Sequence, residues 1–162
     1  MPLKPLEQFV CDSCGHVINE VAEGWIEWIN DFDSDRFSSY GFKIVHHSLF
    51  SPRGRGGCYH YSNHSGRSDL HLKNIMDMGH LLSFLDEGPI HDPEYSGPRA
   101  KDIREFVDIV RRLTIPYYEE ARLYWRRAQA DGFFSGCGHV AIYQPDTLKL
   151  LIDTYGDESP GF

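Results

Sequence analysis

Cys11 and Cys14 are separated by two residues and followed by Gly15. That spacing lets one tight turn present two thiolates to a single tetrahedral metal ion, most commonly zinc. A structural zinc takes four donors, so a second pair is required. The candidates are His46, His47, Cys58 and His60, with Cys137 and His139 far downstream. His47 and Cys58 are the expected pair, because Pro52, Gly54, Gly56 and Gly57 lie between them and let the chain fold back until both side chains reach the cysteine turn. His46 and His60 are the alternative ligands. The Cys58-x-His60 spacing recurs at Cys137-x-His139, so those four residues are candidates for a second site.

The charge is distributed unevenly around these residues. The chain of 162 residues carries a net −8, yet residues 36–68 hold Arg36, Lys43, Arg53, Arg55 and Arg67 with no Asp or Glu. Arg53, Arg55 and Arg67 are therefore candidate contacts for an anion, with Tyr59 and Tyr61 as stacking rings for a nucleic acid or phosphate ligand. The favoured alternative packs this island beside the acidic run from Glu20 to Asp35. An overall negative charge disfavours non-specific binding to polyanions.

The elements that must position the donors read as short strands. Phe9-Val10 enters the cysteine turn and Val17-Ile18 leaves it. Gly24 to Asn30 is rich in aromatic and branched residues, and Tyr40 to His47 alternates Phe42, Ile44 and His46 with Lys43, Val45 and His47. Only one of the paired histidines can face inward. Cys58 to Tyr61 and Leu70 to Leu72 read as further short strands, and Asp77 as the cap of a helix with Met78, Leu81, Leu82 and Leu85 on its apolar side.

Pro89, Pro93, Gly97 and Pro98 mark a linker, after which the pattern turns helical. Ile103, Phe106, Val107 and Val110 recur at helical spacing, and Pro116 opens a second helix from Tyr117 to Ala130. In that helix Tyr118, Ala121, Tyr124, Trp125 and Ala128 face a partner, while Glu119, Arg122, Arg126 and Arg127 face water. Val140 to Tyr143 reads as a strand, Asp146 as the cap of a last helix to Tyr155, and the tail after it as frayed.

Taken together, the sequence predicts an α+β fold. Residues 1–88 form a small zinc-bound antiparallel β module of zinc-knuckle type, and residues 98–162 a helical hairpin plus C-terminal helix packed on it as one body. No apolar run reaches the roughly twenty residues of a membrane helix, and no export signal is visible. The expected setting is cytoplasmic, with reduced cysteines. The sequence lacks a phosphate loop, a dinucleotide fingerprint, a nucleophile elbow and a His-Glu-x-x-His helix. The primary expectation is thus a non-catalytic, zinc-stabilised protein that engages another macromolecule, most simply a protein.

One resemblance points elsewhere. His46-His47, the Pro/Gly/Arg loop, Asp69-Leu70, Asn74 and His80 follow an order that resembles HNH endonucleases over about a fifth of the chain. The resemblance implies metal-assisted phosphodiester hydrolysis, with His47 as the base and Asn74 and His80 on the metal side.

Overall fold

The structure, a computed structural model, describes residues 2–33, 36–86, 88 and 97–156. The expected linker lies mostly outside these residues, and the expected frayed tail beyond Gly156 wholly so. The fold is mixed α+β. Strand β1 (Phe9–Val10) pairs antiparallel with β2 (Val17–Ile18) to form the cysteine hairpin. A three-stranded antiparallel sheet follows, built from β3 (Gly24–Asp33), β4 (Arg36–His46) and β5 (Arg67–His71) in the order β4-β3-β5.

The period-2 pattern sets what the sheet buries. Ile26 stands opposite Ile44 and Leu70, and Phe42, Ile44 and His46 continue one inward row of β4. The register breaks once. Glu27 pairs with Lys43, but Ile29 pairs with Tyr40, so β4 carries an extra residue against β3. Gly41 takes up this bulge at φ +72°, where an added Cβ would overlap the Tyr61 hydroxyl.

Among the described residues, six α-helices complete the fold. Helices α1 (Leu72–Ile75) and α2 (Met78–Ser83) follow β5, and Asp77 caps α2 by accepting from the Gly79 N–H at 2.9 Å. Helix α3 (Ile103–Thr114) starts at Asp102, whose carboxylate accepts from the Arg104 N–H at 2.8 Å. Its Phe106, Ile109 and Leu113 complete the sheet's core together with Leu72, Leu81 and Phe84. Helices α4 (Tyr118–Ala121), α5 (Trp125–Ala130) and α6 (Pro145–Tyr155) build a second core around Ala121, Ala128, Leu148 and Leu151. Among the described residues, no helix is long and apolar enough to cross a membrane.

Several local expectations are corrected. The helix expected from Tyr117 to Ala130 is two short ones, because the N–H groups of Leu123, Tyr124 and Trp125 bond three residues back and overwind the chain between them. Val140 to Tyr143, expected as a strand, forms a 3-10 turn at Ala141–Tyr143 instead. The last helix is capped at Gln144 with Pro145 in its first turn, so Asp146 lies inside it. Cys58 to Tyr61 is a chain of turns, since the N–H groups of His60 and Tyr61 point to the carboxylate of Glu27 rather than to a neighbouring strand.

Candidate metal centre

The cysteine turn is closed by its own backbone. The Gly15 N–H donates to the Cys11 carbonyl at 2.9 Å, and Gly15 adopts φ +74°, which a side chain would strain. The turn is then pinned to the sheet. Asp12 donates its N–H to the Ile44 carbonyl at 2.8 Å, and its Oδ2 accepts the Ile44 N–H at 2.8 Å. Ile44 is two residues before His46, on the same inward row of β4, so this clamp carries the turn to the histidine.

Cys58 arrives from the loop after β4. Glu27, wholly buried on β3, collects the His60 and Tyr61 N–H groups and the Arg67 Nε at 3.2 Å, and so anchors the chain just past Cys58. The Ser51 hydroxyl donates to the Cys58 sulfur at 3.2 Å.

These constraints bring one donor atom from each of Cys11, Cys14, His46 and Cys58 within 4.8 Å of one another. No other such group of three or more His, Cys, Asp or Glu is found among the described residues. His46 Nδ1 lies 3.5 Å from the Cys14 sulfur and 3.8 Å from that of Cys58. Its Nε2 lies 3.3 Å from the Val17 carbonyl. With that carbonyl as acceptor, Nε2 carries the proton and the Nδ1 lone pair faces the sulfurs, the tautomer a ligand requires. Burial holds the imidazolium below its ordinary pKa and favours the neutral, ligating form.

Burial also pushes the Cys14 thiol up to about 12, with the adjacent Cys11 and Cys58 adding to the rise. Three crowded sulfurs cannot ionise together unless a cation replaces their protons. The donor set therefore fits a metal ion, in a centre that is mostly buried: Cys11, His46 and Cys58 are 1%, 4% and 0% exposed.

His46, and not the expected His47, joins Cys11, Cys14 and Cys58 in the cluster. Alternation settles the choice: His47 falls on the Lys43–Val45 row and its ring packs against Trp25 at 4.6 Å and His71 at 5.2 Å, on the other side of the sheet. The apolar neighbours Phe42 and Ile44 on the His46 row were the signal in the sequence. His60 is exposed and packs on Tyr61. Cys137 and His139 are exposed and do not join Cys58 and His60 in a second group.

The basic island divides. Arg67 is not a free anion contact: it pairs with Glu27 and, at 2.8 Å, with Asp69, and it covers the Tyr59 ring at 4.2 Å. Arg53 is exposed and reaches the Ser13 hydroxyl of the cysteine turn at 3.5 Å, and Arg55 is exposed. For the nuclease-like set, β3 lies between the strand ending at His46 and the strand preceding Asn74, so those strands form no hairpin with each other. Asn74 and His80 are exposed, and the His80 ring turns to Asp77 at 3.6 Å.

A feature that sequence reasoning missed lies behind the turn. Glu119 and Arg122, expected to face water, join buried Arg112 in a network that ends on Asp12. Glu119 Oε1 also accepts the Val10 N–H at 2.8 Å. No family model, curated protein or solved structure significantly matches this chain.

Proposed function

We propose that the protein is a zinc-stabilised, non-catalytic binding protein in which Cys11, Cys14, His46 and Cys58 hold one zinc ion and the scaffold so fixed engages another macromolecule. The carrying observation is the geometry of the donors. Tetrahedral zinc, at about 2.3 Å from sulfur and 2.0–2.1 Å from nitrogen, sets sulfur–nitrogen edges of about 3.6 Å. The separations here are 3.5 Å and 3.8 Å. Three thiolates and an imidazole suit zinc, and four protein donors leave no position for a reacting water, which is the arrangement of structural sites. Exposed apolar side chains, Leu49 and Phe50 after His46-His47 and Met78 and Leu82 on α2, support a protein partner.

Two measurements test the reading. Elemental analysis of protein purified without added metal is expected to give one zinc per chain, and a metal-free folded protein overturns the zinc assignment. Tagged full-length chain and a Cys11→Ser variant, each recovered after cross-linking in cells, are expected to differ in one discrete adduct. Absence of any adduct from the native chain counts against the binding role.

A further inference from the structure

Away from the metal centre, the C-terminal part of α3 and residues 139–144 enclose a groove of about 490 Å3. Its polar groups are Arg111, His139 and Gln144, and Ile115, Val140 and Tyr143 supply apolar wall. The Arg111 guanidinium sits 3.8 Å from the Tyr143 ring centroid, and Trp125 backs that ring in a stack 5.8 Å apart and 16° from parallel. Rings therefore hold the cation in place. Among the described residues no carboxylate forms an ion pair with it. Asp108, on the preceding turn of α3, accepts from the Tyr118 hydroxyl at 2.7 Å, and Arg111 donates to that same hydroxyl. The contrast with Arg112, the next residue, is sharp: its charge is met by both Asp12 and Glu119.

We propose that this groove binds a small organic anion, a phosphate or carboxylate carried on an apolar or aromatic body, with Arg111 as the anion contact and His139 and Gln144 as further donors. A guanidinium offers a planar fork that matches either headgroup. The volume falls in the range of small-molecule sites, about 300–1,000 Å3. The mixed lining separates this ligand from a bare inorganic ion, which leaves Ile115 and Val140 uncovered, and from a neutral ring, which brings no anion to Arg111.

Titration calorimetry of the full chain with phenyl phosphate, benzoate, inorganic phosphate and phenol tests this. At least one of the two aromatic anions is expected to bind about tenfold or more tighter than phenol and inorganic phosphate, and whichever binds better identifies the headgroup. Arg111→Gln is expected to lose about tenfold in affinity. Val140→Asp, at a rim position 74% exposed, leaves the Arg111–Tyr143 stack in place and is expected to weaken binding by charge repulsion. Equal affinity in all three proteins, phenol or inorganic phosphate binding as tightly as the aromatic anions, or no saturable binding below about 10 mM overturns the proposal.

Discussion

The guanidinium of Arg112 lies 2.8 Å from Oδ2 of Asp12, a residue inside the cysteine turn and 100 positions away in the chain. Arg112 is 3% exposed and also meets Glu119 through two nitrogens, at 2.7 Å and 3.0 Å. Asp12 accepts from Ile44 of β4 with the same carboxylate. One acidic side chain thus joins the metal turn, the sheet and the helical half.

Removing one member of this network strands the rest. Arg112→Met leaves Glu119 buried with only the half-buried Arg122 as a cation, and the expected loss is about 3–5 kcal/mol of unfolding free energy. Urea denaturation at neutral pH measures it. A loss below about 1 kcal/mol, the worth of an exposed pair, shows the network to be solvated.

The paired histidines separate the metal donors from their neighbours. His46→Ala is expected to abolish metal retention through purification, because it removes the Nδ1 that faces Cys14 and Cys58. His47→Ala is expected to retain a full equivalent of metal, since its ring packs on Trp25 instead. Metal content per chain decides between them, and the reverse pattern refutes the assignment.

Glu27 anchors the chain just past Cys58, one of the four clustered donors. Glu27→Gln keeps an acceptor for one N–H but gives up the charge that holds His60, Tyr61 and Arg67 together. The expected cost is about 2–3 kcal/mol, as for hydrogen bonds to a charged acceptor. Metal release to a chelator is expected to quicken as the Cys58 arm loosens. Unchanged release kinetics would separate Glu27 from the site.

Acid weakens the network in a predictable direction. Burial alone raises the Glu119 carboxyl, but Arg112 and Arg122 together hold it below its ordinary value. A depressed folded-state pKa contributes stability that is present above the unfolded value of about 4.3 and lost as the pH falls through the native value. The stability gap between native protein and Glu119→Gln is therefore expected to be widest near neutrality and to shrink in acid below about pH 4. Urea midpoints of the two proteins across that range give the gap, and a constant gap refutes the linkage.

Much of this was legible in the residues. Phe9-Val10 and Val17-Ile18 flank a Cys-x-x-Cys-Gly turn, and β3 and β4 carry branched and aromatic residues in alternation, so the α+β class and the cysteine hairpin followed from local chemistry. The Asp77 cap followed from the same local rules. The choice of His46 over His47 depended on the phase of β4, which Phe42 and Ile44 encode but the flexibility of the loop to Cys58 obscured. Glu119 and Arg122 read as solvated because periodicity ranks residues by polarity. Their partners, Asp12 and Arg112, come from other elements, and pairing across such distances leaves no local trace.

All four donors fall within the first 58 residues, whereas the arginine that braces their turn comes at position 112. In synthesis order the whole candidate donor set is therefore in hand before Arg112 is added. The long-range closure, the Asp12–Arg112 contact, carries the larger loop entropy and can form only afterwards. The candidate donors precede the bracing helix in synthesis order, so the cysteine hairpin is complete before that helix exists to dock on it.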